Sequence, residues 1–253
     1  MKFDQHVDDD RDPRMTGKYV RRVPKKNGIG GMLTLVGVVH DHPASTYRVR
    51  RTTESLDTDI LALEIPPIAI PLFEQYARSD QSPPAFGGEM SAAIQAAGTD
   101  TTVGIDRPTW GFFRKLVWNL LRKRPPLATI RSVLSNVASV TKHAVVCRLA
   151  ATVAARTPVR LEVDFPVAHD TDWRDTPEEQ ALDEREQVRQ SRAFMNAFQT
   201  ANSVRASRFE DETREEYMAD RLFELRENGD TVAVVGIDHL DSLTERLNRR
   251  ENA

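Results

Sequence analysis

The chain reads as an α/β protein, a mixed and largely parallel sheet flanked by helices, with a helical insertion before the last strand. Three observations predict this. Short aliphatic runs alternate with segments of helical period, Gly and Pro punctuate the joins, and the two most similar apolar runs stand near opposite ends of the chain. Those two runs, Leu33-Thr-Leu-Val-Gly-Val-Val-His40 and Val232-Ala-Val-Val-Gly-Ile-Asp-His239, both lead into Gly-x-x-His.

The elements follow in order. Residues 1–30 are dense in Asp, Arg, Lys, Pro and Gly without an apolar period, and are expected to be a polar tail. Residues 31–253 are expected to form one domain. A strand over 32–40 precedes a helical segment reaching Leu56, and Asp59-Ile-Leu-Ala-Leu-Glu-Ile65 is a second buried strand. Pro66 and Pro67 close it, and helices follow over 68–78 and 88–97, the second stopped by Gly98. Residues 101–107 make a third short strand. Helices are then expected over 110–124, 128–156, 177–200 and 209–228, with an equivocal piece at Leu161-Glu-Val-Asp-Phe165. In the first of these, Phe112, Phe113, Leu116, Val117, Leu120 and Leu121 predict a core-facing stripe, with Arg114, Lys115 and the basic run 122–124 on the solvated side. Such a basic helix could also touch a membrane or an acidic partner, but the core helix is the commoner case and is expected here. The last strand starts at Thr231 and a final helix covers 241–250.

Composition narrows the function. The 253 residues, 40% hydrophobic, suffice for one large core. With 35 Lys and Arg against 38 Asp and Glu, the formal charge of −3 gives no general attraction to nucleic acid or to an anionic membrane. Cys147 is the single cysteine, so no internal disulfide or cysteine-based metal site is available. Any metal must be held by His and carboxylates. No apolar run of about 18 residues suggests a membrane span, and the acidic, polar N-terminus lacks the apolar stretch of a signal peptide. A cytoplasmic location is expected, and homo-oligomer formation is left open.

The paired motifs are the main functional signal. With 12 Gly and 6 His, random placement gives about 0.3 Gly-x-x-His matches, yet two occur, both at the ends of expected strands. Gly37 and Gly236 are expected to let the backbone leave each strand tightly, placing His40 and His239 at the carboxyl edge of the sheet, where ligands bind. Val103-Gly-Ile-Asp-Arg107 echoes the pattern and brings Arg107 toward the same edge.

The order Leu35-Val-Gly-Val-Val-His40, Leu61-Ala-Leu-Glu-Ile65, Gly87-Gly-Glu-Met-Ser-Ala-Ala93, Gly104-Ile-Asp-Arg107, Arg214-Glu-Glu-Tyr-Met-Ala219 and Val234-Val-Gly-Ile-Asp-His239 resembles the TraB/PrgY family, kin to the GumN and Tiki proteins, over about residues 32–248. That resemblance implies a metal-dependent hydrolase of protease or peptidase type, acting on peptide or related amide or ester bonds. It places His40, Glu64 and His239 around a divalent ion (Mn, Co or Zn), with Glu89 as general base. Asp106, Arg107 and Arg214 carry over as groups that orient a carboxylate or stabilise an oxyanion. The partner implied is a peptide or small-molecule substrate.

Bland readings stand beside these. His42 reads as a solvated loop residue, Glu89 could simply complement a helix N-terminus, and Arg107 and Arg214 could form structural ion pairs. Glu64 ends an apolar strand, where a carboxylate is costly unless paired or ligating. The chain also departs from its likenesses. No C-terminal membrane region is expected, and Thr213 and Glu215 flank Arg214 where an acidic residue before and Asp or Asn after are usual. Two alternatives to the metallo-hydrolase are therefore kept: a non-catalytic protein sequestering a peptide or ligand, as in pheromone shutdown, and a metal-independent His/Glu hydrolase of esterase type.

Overall fold

Strands that are apolar on both faces belong inside a sheet with helices on either side, and the last strand in sequence is such a strand. In the computed structural model, which describes residues 12–24, 30–157, 163, 167–198 and 201–251, five strands form one sheet: β1 (Val20–Val23), β2 (Leu33–Val38), β3 (Ile60–Leu63), β4 (Thr102–Gly104) and β5 (Thr231–Gly236). Their order is β1-β2-β5-β3-β4, with β1 antiparallel to β2 and the other neighbours parallel. The fold is the mixed, largely parallel α/β architecture expected. β5 threads between β2 and β3, with Thr231 in register with both Leu33 and Ile60.

Side-chain alternation along β5 divides the core into two layers. Ala233 and Val235 join Leu33 and Leu35 under Met218 and Leu222 of α7 (Ala201–Arg226) and Leu240 and Leu243 of α8 (Ile237–Glu251). Val232 and Val234 face the other way, with Val36, Val38, Leu61 and Leu63, onto Val49 of α1 (Pro43–Ser55), Ile70 of α2 (Ile70–Ala77) and Met90 of α3 (Gly88–Ala96). Each fully buried leucine contributes about 1.5–3 kcal/mol. The helical insertion comprises α4 (Trp110–Lys123), α5 (Leu127–Ala154) and α6 (Pro177–Phe198), followed by α7.

Several expectations change. Within the expected tail, Val20–Val23 forms the edge strand β1, because Tyr19 and Val23 bury against the domain and β2 offers an unpaired edge. Residues 1–11 and 25–29, and all of the equivocal 161–165 piece but Val163, lie outside the described residues. Gly236 ends β5 and α8 starts at the next residue, a tight exit as expected, whereas Gly37 does not serve as a turn. Gly37 sits inside β2, where a Cβ would meet Leu240 Cδ2 at 2.8 Å, so its role is to let α8 close on the sheet. Gly236 has room for a Cβ, whose nearest neighbour would be a Glu64 oxygen at 3.5 Å.

The final helix begins at Ile237, four residues earlier than expected, so His239 stands in its first turn. α4 buries Phe112 and Leu116 as expected, but Val117 and Leu121 face solvent. α5 is long and apolar enough to cross a membrane by length and composition alone. Its Val133, Val137 and Cys147 are nevertheless packed inside the protein.

Candidate functional site

Parallel strands that end at one edge of a sheet deliver the residues after them to a common crevice. Glu64 follows β3 directly, His40 lies two residues beyond β2, Asp106 and Arg107 follow β4, and His239 lies just past β5. His40, Glu64, His239 and Arg214 line one cavity of about 340 Å³, closed on a further side by Gln187, Val188 and Ser191 of α6. The two motif histidines thus share a cavity although 199 residues separate them.

Each histidine is held by a carboxylate through the same ring nitrogen. His40 Nδ1 lies 2.7 Å from Glu89 Oε1, and the other Glu89 oxygen accepts the Asp41 N–H at 2.9 Å. Glu89 is buried in the first turn of α3, where its charge also complements the helix N-terminus. That turn requires Gly87, whose φ is +79° and whose Cβ would strike Ser91 Oγ at 2.0 Å. The hydrogen bond that His40 donates to Glu89 pushes the His40 pKa up to about 9, against the opposing effect of burial. His40 Nε2 has no protein partner among the described residues, and its side chain is 60% exposed.

His239 Nδ1 lies 3.1 Å from Glu215 Oε1. Burial draws the His239 pKa down, but the Glu215 hydrogen bond and the nearby charge of Glu64 outweigh it, and the net direction is upward. Glu215 is held below the ordinary carboxylate value: burial pushes it up, and hydrogen bonds from His239 and Ser242 overcome that.

Arg214 joins the halves of the site. Its Nε and Nη2 donate to the two oxygens of Asp106 at 3.0 and 2.7 Å, and Nη2 also donates to Glu64 Oε1 at 2.9 Å. Burial opposes its charge, but Asp106 and Glu64 more than compensate, so its pKa moves upward and it stays cationic. Its Nη1 approaches His239 Nε2 at 3.3 Å. Glu64 spends its second oxygen on the Gly236 N–H at 2.7 Å. Arg107 is placed elsewhere: it pairs with buried Glu210 and does not line the cavity. Asp106 acts through Arg214.

The donor set His40, Glu64 and His239 is a poor fit to a metal in this arrangement. Both Glu64 oxygens are engaged, and Arg214 brings a fixed positive charge between Glu64 and His239 Nε2, which are 3.5 Å apart. Among the described residues, the three donors whose ligand atoms do lie within 4.8 Å of one another are His42, His169 and Asp183. Hydrogen bonding argues against an ion there too. His42, fully buried rather than a solvated loop residue, caps α1 by accepting the Ala44 N–H on Nδ1 at 3.1 Å. The ring proton therefore sits on Nε2, facing Asp183 Oδ2 at 3.1 Å, where a metal would have to displace it.

A second cavity, about 640 Å³, adjoins His40 and Glu89. Its walls are mostly apolar, including Phe73, Pro83, Pro84, Phe86, Met90 and Trp173. Residues 167–169 bridge toward it: Val167 N–H donates to Asp41 Oδ2, and His169 Nε2 donates to the His40 carbonyl at 2.8 Å.

Sequence reasoning did not single out Glu215, Gln187 or His169. Glu215 had a signal, because it stands where the resemblance expects Asp or Asn, and a longer acid there can reach His239. Compared with protein-family models, with curated proteins and with solved structures, the chain gives no match.

Proposed function

We propose that this protein is a hydrolase of amide or ester bonds in which His40, oriented by Glu89, acts as general base without a metal. The observation that supports this best is the open Nε2 of His40 in the cavity that also holds the Arg214 guanidinium. In its neutral form His40 takes a proton from water, whose oxygen bonds to the substrate carbonyl carbon. Negative charge develops on the carbonyl oxygen, and Arg214, preorganised by Asp106 and Glu64, stabilises it. The carbonyl re-forms as the bond to the leaving oxygen or nitrogen breaks, and the proton on His40 passes to that atom. Glu89 is then the group that orients the base rather than the base itself. The apolar cavity beside His40 suits a substrate with a bulky uncharged group.

A second reading has its own support. A histidine whose Nδ1 is held by a carboxylate is also the usual form of a metal-ligating histidine, and His40 and His239 both have it. In that reading Arg214 withdraws. The test is turnover of esters and amides bearing bulky apolar acyl groups, before and after exhaustive chelation. Retained hydrolysis that disappears in His40→Ala is expected. Hydrolysis lost on chelation and restored by Mn²⁺, Co²⁺ or Zn²⁺ would replace this reading with the metal-dependent one. Tight binding of such compounds without turnover would instead mark a sequestering protein.

A further inference from the structure

The helical insertion carries an outward face that the described residues leave uncovered. On α4, Trp110 is 84% exposed, Trp118 63% and Leu121 67%, and Arg114 and Arg122 share their side of the helix at spacings of three and four. On α5, Leu127, Leu134, Val145 and Leu149 are exposed along one stripe, with Arg131 and Lys142 set between them. The inner faces of both helices are already used: Phe112, Leu116, Val133 and Val137 pack with Phe209 and Tyr217 of α7 in one cluster. Single exposed leucines are ordinary, but two tryptophans and a run of aliphatics on adjoining helices mark an interaction surface.

Charge identifies the partner. Residues 110–156 contain nine Lys and Arg and no Asp or Glu, in a chain that overall holds 35 against 38. Lys115 and Lys123 are spent on Asp220, Glu212 and Glu216 of α7. Arg114, Arg122, Arg124, Arg131, Lys142 and Arg148 have no acidic partner among the described residues. A second copy pairing through the same face would set these cations against each other.

We propose that the α4–α5 face docks on an anionic lipid surface. Trp110, Trp118 and Leu121 enter the headgroup layer while the flanking arginines meet lipid phosphates and carboxylates. α5, about 42 Å long at 1.5 Å per residue, supplies an extended strip for that contact. It lies along the surface rather than crossing, because its other side is packed against α2 and α7.

The test is flotation of the full chain with phosphatidylcholine vesicles, with and without about 30% phosphatidylserine. Binding to the anionic vesicles alone is expected, with a blue-shifted tryptophan emission and loss of binding at about 0.5 M salt. Arg114→Glu with Arg122→Glu, or Trp118→Ser with Leu121→Ser, should each weaken binding by at least about tenfold. All four residues are exposed, so the thermal melt should stay as in the wild type. Failure of the wild type to float, or equal binding by both double variants, overturns the proposal. Self-association that the same variants abolish, without vesicle binding, would assign the face to a second copy.

Discussion

Glu89 decides the chemistry available to His40. Its hydrogen bond raises the imidazole pKa to about 9, above the ordinary 6.5 that the unfolded chain would show. A group raised in this way stabilises the folded state fully below pH 6.5, and that stabilisation is lost as pH rises through 9. Denaturant midpoints should therefore decline across that window in the wild type, and the decline should shrink in Glu89→Gln. NMR titration of the His40 ring in that variant should show its pKa fall toward 6.5. On the alkaline plateau, where His40 is neutral in both proteins, turnover should fall by on the order of a hundredfold, with the rising limb of the pH–rate profile displaced to lower pH. An unmoved pH profile would remove Glu89 from the site. At this scale much was legible in the sequence: His40, Glu64, Glu89, Asp106, Arg214 and His239 do form one connected set. What it did not show was who holds whom. His42 illustrates why, since a His two residues before an Ala in a polar loop carries no sign that it will cap a buried helix end.

The elements are tied together by a buried charge. Arg48 of α1 is fully buried, with Nη1 donating to Glu184 Oε1 of α6 at 3.0 Å and to the Gly37 carbonyl at 2.9 Å, and Nε donating to the Arg14 carbonyl at 2.8 Å. Ser45 Oγ donates to the same Glu184 oxygen at 2.5 Å. One guanidinium thus joins the N-terminal segment, β2, α1 and α6. Removing one partner of a buried pair leaves the other uncompensated, so Glu184→Ala should cost about 3–5 kcal/mol in chemical denaturation. A loss under about 1 kcal/mol would show that water replaces the carboxylate. The same pair explains how α6 comes to close the His40 cavity through Gln187 and Ser191. Helix existence was readable from periodicity, but α6 is polar on most of its surface, and nothing in its sequence says that Glu184 faces inward.

The whole molecule depends on its last strand. β5 pairs with β2 on one side and β3 on the other, and α8 covers the layer that includes Leu33 and Leu35. A chain ending at Gly229 would lose both, leaving two separate strand pairs with exposed edges. Such a truncation should be insoluble or lack a cooperative melt in circular dichroism, and a soluble, cooperatively melting product would refute this dependence. Alternating apolar runs, Gly and Pro stops and the echoed Gly-x-x-His motifs determined the α/β class, most elements and the delivery of His40 and His239 to one edge of the sheet, because these rest on local periodicity and backbone preference. Tertiary structure alone decided that Val20–Val23 completes the sheet, that Gly37 serves close packing, that Glu215 orients His239 and that one side of α4 stays uncovered. Each of these turns on a neighbour distant in sequence, and local pattern carries no record of which surface arrives to pair with an edge, fill a groove or leave a face bare.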